Sequence, residues 1–188
     1  MSPGPRPRLV LLDRDGVLNE DRRDYVKTPD ELVLIRGAAA AVARLNSAGI
    51  RVALCTNQSA VGRGIISAAM LERIHERLRE ALAREGARLD AVFACPDPPG
   101  APTTHRKPAP GMLIDAMRRF GVAAADAVMI GDSLRDLEAA QRAGTARCLV
   151  RTGHGARTQA EGLPASVLPV RVHADLAAAV AALLGEGA

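Results

Sequence analysis

Aromatic residues are almost missing from this chain: it has no tryptophan, one tyrosine and two phenylalanines in 188 residues. An apolar core must therefore come from Ala, Val, Leu and Ile. A nucleic-acid surface of basic residues interleaved with aromatics is poorly supported. The cysteines number only three, Cys55, Cys95 and Cys148, and form no CxxC, so neither a disulfide framework nor a self-evident zinc site is legible. Cys55 and Cys148 sit in apolar runs and read as buried small hydrophobes. No apolar run reaches the ~20 residues needed to cross a bilayer. No signal-peptide pattern is seen at Met1–Arg8, which is Pro-rich and basic. The expectation is a cytoplasmic protein with no membrane and no nucleic-acid partner, monomeric by default. Lysine is scarce too: Lys27 and Lys107 stand among 25 basic residues, the rest arginine. The formal charge of +4 suits small anionic ligands.

What is present is a chain of short apolar runs ending in polar residues. Leu9–Leu12 runs straight into Asp13-Arg14-Asp15-Gly16, the pattern of a strand buried on both faces and closed by a turn. Ile50–Cys55 ends in Thr56-Asn57-Gln58-Ser59. Leu89–Cys95 leads into a Pro-rich segment, 96–110, that excludes regular structure. Ala127–Ile130 ends in Gly131-Asp132-Ser133, and Ala146–Val150 in Thr152-Gly153-His154-Gly155. An edge strand is expected near Val167–Val172. Between the runs, helices are expected from Gly37 to Ala48, after the cap Ser67 to Gly86, over Gly111–Phe120, over Leu134–Ala143, and from the cap Asp175 to Leu184. His75 reads as a surface or boundary residue of its helix, and Gly62-Arg63-Gly64 as a flexible connector. Alternating strands and helices predict a Rossmann-like α/β fold, a parallel sheet with helices on both faces. One domain over 1–188 is expected, with 1–7 a flexible tail.

Ligands of such sheets bind beyond the carboxyl ends of the strands. Asp13/Asp15, Thr56/Asn57, Arg106/Lys107 and Asp132/Asp136 all fall there or close behind. Together they provide what phosphoryl transfer needs. A carboxylate nucleophile forms an aspartyl-phosphate, and a cation cancels anion repulsion. Asp13 and Asp132 suit Mg²⁺. Thr56 offers donors to phosphoryl oxygens, Lys107 a point charge, and Asp15 a proton to the leaving group. Taken singly, each has a plainer reading: Thr56-Asn57 as a turn cap, Lys107 as a solvated charge, Asp132 as a helix cap, Asp136 on an exposed helix face.

The motifs Asp13-Arg14-Asp15-Gly16, Thr56-Asn57-Gln58-Ser59, Arg106-Lys107-Pro108 and Gly131-Asp132-Ser133-Leu134-Arg135-Asp136 resemble the four motifs of the haloacid dehalogenase phosphatase superfamily. Within it they are similar to the branch of heptose-bisphosphate and histidinol-phosphate phosphatases, over roughly Leu9–Gly153. The resemblance implies a haloacid dehalogenase-like fold without a large cap. It implies Asp13 as nucleophile and Mg²⁺ ligand, Asp15 as general acid/base giving the metal its backbone carbonyl, and Asp132 as the remaining carboxylate on Mg²⁺. Thr56 and Lys107 would hold the phosphoryl group, Asp136 would support the site, and Arg106 would select the substrate. A sugar phosphate would be gripped by Asp21 and Tyr25, by Asn57, Gln58 and Ser59, and by Arg106 and Ser133. The resemblance also implies a structural zinc in the Pro-rich loop, at positions that here are Cys95, Asp97, Thr103 and His105. Threonine is a poor zinc ligand. A site of Cys95, Asp97 and His105 would be weak, and the loop is expected to lack zinc and be stiffened by proline. The expected activity is hydrolysis of a heptose bisphosphate in nucleotide-heptose supply. The rivals are histidinol-phosphate phosphatase and a catalytically idle phosphosugar-binding protein.

Overall fold

A computed structural model describes residues 6–101 and 103–186. Residues 1–5 of the expected tail and Pro102 lie outside the described residues. Six parallel strands, β1 (Leu9–Leu12), β2 (Arg51–Asn57), β3 (Ala91–Cys95), β4 (Ala127–Gly131), β5 (Ala146–Val150) and β6 (Arg171–His173), form one sheet in the order β3-β2-β1-β4-β5-β6. Side chains alternate across it. Val10, Leu12, Val52, Leu54, Val128 and Ile130 face one core, and Leu9, Leu11, Ala53, Cys55 and Met129 face the other.

The first core is covered by α1 (Ala38–Ser47), α3 (Ala68–Ala83) and α7 (Leu176–Leu184), with a short α2 (Ser59–Gly62) after β2. The second is covered by α4 (Gly111–Phe120) and α5 (Leu134–Ala143). A further short helix, α6 (Gly155–Ala160), follows β5. Helices thus lie on both faces, as expected. The caps follow the sequence: Met70 N donates to Ser67 Oγ at 3.1 Å, and Ala178 N to Asp175 Oδ1 at 2.8 Å. Among the described residues no helix is long and apolar enough to cross a membrane.

Three expectations need correction. His75 is buried, 2% exposed. Its spacing from Leu71 and Leu78 places it on the inward stripe of α3 beside Ile74. Gly62 ends α2 and packs on the Pro-rich loop: its N–H donates to Pro96 O at 3.1 Å, and a Cβ there would overlap that carbonyl. The edge strand is Arg171–His173, and Ala165–Val167 is a 3₁₀ turn.

The chain winds outward from β1 to β3, then returns to place β4 on the other side of β1. Beyond the carboxyl ends of β1 and β4 the connections diverge and leave a crevice. Asp13 N donates to Ile130 O at 3.1 Å, so the residue after β1 is tied to β4 at the floor of that crevice.

Candidate active site

A cavity of about 480 Å³ opens at this switch point. Asp13, Asp15, Asp132, Ser133, Asp136 and Lys107 lie toward its acidic centre, and Asp21, Tyr25, Asn57, Ser59 and Arg106 also line it. The chain ends that carry these groups come from β1, β2 and β4 and from the Pro-rich loop.

Asp13 is held from one side. Its Oδ1 accepts from Arg14 N at 2.8 Å and faces Lys107 Nζ at 2.9 Å, while Oδ2 accepts no hydrogen bond from the described residues. Lys107 is buried and also meets Asp136 Oδ1 at 2.6 Å. Burial opposes its charge, yet Asp13 and Asp136 outweigh burial and push its pKa up, so it stays an ammonium. Asp136 also accepts from Ser133 Oγ at 2.6 Å and Ser133 N at 3.0 Å, closing a capping box on α5. The plain reading of Asp136 as an exposed helix residue is thereby excluded: it is fully buried.

Asp15 accepts from Arg14 Nη2 at 3.0 Å, Asn19 Nδ2 at 2.9 Å and Gln58 Nε2 at 2.9 Å. Burial alone would raise its pKa. The Arg14 guanidinium and these amide donors prevail and hold it below the usual carboxylate range. Gln58 is buried and donates its other bond to Thr56 Oγ1 at 2.9 Å. It does not line the cavity, so its amide is spent orienting Asp15 and Thr56 rather than facing a ligand. Thr56 is likewise fully buried behind the lining. With its oxygen accepting from Gln58, its O–H remains free to donate. Asn57 does line the cavity, but it clamps the peptide of Lys107: Nδ2 donates to Lys107 O at 2.9 Å, and Lys107 N to Oδ1 at 3.0 Å.

Asp132 is wedged between two backbone segments. His154 N donates to its Oδ2 at 2.7 Å. Gly16 and Gly153 have φ of +79° and +56°, and a Cβ on either would overlap that carboxylate oxygen. Both positions therefore require glycine, for conformation and for space.

Carboxylate oxygens of Asp13, Asp132 and Asp136 lie within 4.8 Å of one another. Lys107 and Ser133 already occupy Asp136, so Asp13 and Asp132 are the pair with room for a cation. Burial, then the charges of the neighbouring carboxylates, raise the pKa of both. Their ionised forms thus lack sufficient positive charge, which a hard divalent ion on oxygen ligands would supply. The donor set fits Mg²⁺.

The mouth is basic. Arg22, Arg23, Arg63, Arg106 and Arg135 line it. Arg23, Arg63, Arg106 and Arg135 have no carboxylate partner among the described residues. Burial, then the neighbouring Arg135, push the Arg106 pKa down, and Arg63 adds to it. This is an arrangement that an anion would relieve. Asp21 Oδ2 pairs with His154 Nε2 at 2.7 Å across the opening, and Tyr25 sits at φ +69°, a strained conformation for a non-glycine residue. His154, Arg63 and Arg135 were missing from the sequence-derived site. The only signal for them was position: each lies within a few residues of a strand's carboxyl end.

The four zinc positions do not turn their donors to one point. Cys95 Sγ faces Asp97 Oδ2 at 3.4 Å, whereas His105 Nε2 pairs with Asp115 Oδ2 at 2.9 Å.

Residues 5–144 match the family model of the haloacid dehalogenase-like hydrolases. The chain is 47% identical over 180 residues to the D-glycero-beta-D-manno-heptose-1,7-bisphosphate 7-phosphatase of Bordetella bronchiseptica, covering 95% of this chain and 99% of that one. It is 44% identical over 176 residues to the protein of the same name from Pseudomonas aeruginosa, covering 94% and 97%. The crystal structure of D,D-heptose 1,7-bisphosphate phosphatase from B. bronchiseptica, complexed with magnesium and phosphate, superimposes with a TM-score of 0.89 at 46% identity, covering 95% of this chain and 98% of that one.

Proposed function

The chain belongs to the haloacid dehalogenase-like hydrolase family and is a phosphatase, and on that premise we propose that it removes the 7-phosphate of D-glycero-D-manno-heptose 1,7-bisphosphate. The observation that carries this reading is a basic mouth, four of whose five arginines have no carboxylate partner among the described residues, over an acidic, lysine-containing centre. Such a cavity suits a substrate with phosphate at both ends, one to be cleaved and one to be held. The near full-length relatives of that name support it.

In this mechanism the free Asp13 Oδ2 attacks phosphorus and the phosphorus–sugar oxygen bond breaks. Lys107 faces the phosphoryl oxygens, and the Thr56 hydroxyl donates to them. Mg²⁺, held by Asp13, Asp132 and the Asp15 carbonyl, would neutralise charge between nucleophile and phosphate. Asp15 gives its proton to the departing alkoxide, then takes one from the water that hydrolyses the aspartyl-phosphate, releasing phosphate and restoring Asp13. The donors around Asp15 favour the ionised form, which suits the second half. For the first, the negative charge of the bound phosphoryl group raises the Asp15 pKa and brings the proton on.

The test is a panel: kcat/KM for both anomers of the heptose bisphosphate and for histidinol phosphate, with ³¹P NMR of the product. Release of the 7-phosphate and a preference for the bisphosphate are expected, while a higher kcat/KM for histidinol phosphate overturns the assignment. Asp13→Asn is expected to lose turnover with an unchanged circular dichroism spectrum. Parent-like hydrolysis by that variant would refute the covalent route and an idle parent would refute both.

A further inference from the structure

The Pro-rich loop is where the resemblance and the structure disagree. The resemblance implies a zinc there, and the residues present do not fit one. A tetrahedral zinc needs four strong donors turned to one point. Thr103 offers a neutral hydroxyl. His105 turns its ring outward to Asp115, at 2.9 Å. Among the described residues, the one group of three or more His, Cys, Asp or Glu side chains close enough to share an ion is Asp13, Asp132 and Asp136, in the cavity.

The same four positions make another arrangement. The Cys95 thiol donates to Asp97 Oδ2 at 3.4 Å. Burial keeps that thiol protonated and hence a donor. The Thr103 hydroxyl lies against the same carboxylate and holds its pKa down. His105 N then donates to Thr103 Oγ1 at 3.1 Å. The base of the loop is pinned separately. Gln58 N donates to Cys95 O at 2.7 Å, Gly62 N to Pro96 O at 3.1 Å, and Gly111 N to Thr104 O at 2.9 Å. A Cβ at Gly111 would overlap the Thr104 carbonyl, so the loop closes tightly on the start of α4. The output of the arrangement is Arg106, whose Nη1 donates to Asp97 O at 2.8 Å and which lines the cavity.

We propose that this loop is metal-free, and that Cys95, Asp97 and Thr103 brace one another in place of a zinc and thereby position Arg106 toward the substrate. Asp97 works twice. Its carboxylate accepts from the Cys95 thiol and is kept ionised by the neighbouring Thr103 hydroxyl, and its carbonyl fixes the guanidinium. The inference rests on the reading of Arg106 as a substrate-selecting group, but its metal arm does not depend on which substrate is cleaved.

The experiment has two arms on the full chain. Protein produced in zinc-containing medium is measured by plasma mass spectrometry, and its thermal midpoint is compared with and without a zinc-selective chelator. No stoichiometric zinc and no shift are expected, and one tightly bound zinc per chain overturns the inference. In the second arm, Thr103→Val and Asp97→Ala are assayed on the heptose bisphosphate and on p-nitrophenyl phosphate, which presents nothing to Arg106. KM for the bisphosphate is expected to rise about fivefold, the effect of losing one hydrogen bond, with kcat held. KM for p-nitrophenyl phosphate stays unchanged. An equal rise on both substrates, or no rise on either, refutes the positioning role. A preference for histidinol phosphate in the panel above would overturn the heptose reading and leave the metal result standing.

Discussion

Replacing His75 by leucine is expected to remove a loss of stability on the acid side. The imidazole is 2% exposed on the inward stripe of α3, and its Nε2 has no hydrogen-bond partner among the described residues. Burial, reinforced by the positive charge of Arg14, pushes its pKa down from 6.5 to about 4. As pH falls through about 6.5 the unfolded chain takes up the proton first, while the folded chain stays neutral down to about 4. His75 thus leaves stability intact above that upper value and erodes it as pH falls toward the lower one. At about 1.4 kcal/mol per unit, the full loss is on the order of 3 kcal/mol, and about 2 kcal/mol of it is reached by pH 5. His75→Leu cannot titrate and, of similar size, keeps the contacts with Leu71 and Leu78. Urea unfolding of both proteins at pH 8 and pH 5 gives the comparison. The difference in unfolding free energy between variant and parent should shift by about 2 kcal/mol in favour of the variant on going to pH 5. The difference between the two proteins is the informative quantity, because Asp13 and Asp132 titrate in the opposite sense. Parallel pH profiles would refute a buried neutral imidazole.

Metal removal probes those two carboxylates. Their pKa values are raised on folding, so the unfolded chain releases protons first as pH rises. Stability of the chelator-treated protein should therefore fall as pH climbs above the ordinary carboxylate range, and saturating Mg²⁺ should flatten that slope. Thermal unfolding at pH 5 and pH 8 with EDTA or Mg²⁺ checks it, and identical slopes would count against a cation between Asp13 and Asp132. Gly153→Ala must place a Cβ against Asp132 at a positive φ. A loss of about 1–3 kcal/mol in stability and about 10²-fold in kcat/KM is expected from phosphate-release and unfolding assays, and wild-type turnover would show that Asp132 has room to move. Arg63→Ala and Arg135→Ala should each raise KM for the heptose bisphosphate about tenfold, as loss of a charged hydrogen bond does, without altering hydrolysis of p-nitrophenyl phosphate. Unchanged KM values would remove these arginines from substrate binding.

Much of the scaffold was legible because local rules and the fold agree. Leu9–Leu12, Gly111–Phe120, Leu134–Ala143 and Ala146–Val150 form their elements with the bounds expected from apolar runs and stop signals. The short α2 and α6 are not legible in the sequence. Four and six residues are too few to show a helical period, and both are held by contacts from distant loops. The burial of His75 is not legible in the sequence because a histidine on a helix carries no label of burial, and its inward position follows from what α3 packs against.

For the site, the types of group and their order along the chain came from sequence: two carboxylates after the first strand, a threonine after the second, a scarce lysine, and a carboxylate after the fourth. Those residues are adjacent in motifs, and each motif is local. Tertiary structure alone decided how they divide the work. It turned Gln58 and Asn57 from candidate ligand contacts into supports for Asp15 and Lys107. It buried Asp136 against Lys107, left one oxygen of Asp13 open, and brought Arg63, Arg135 and His154 to the same mouth. The reason is that a parallel sheet assembles its site from strand ends tens of residues apart. A residue's chemistry is written locally, but whether its polar atoms are free or already satisfied depends on partners that only the fold brings within reach.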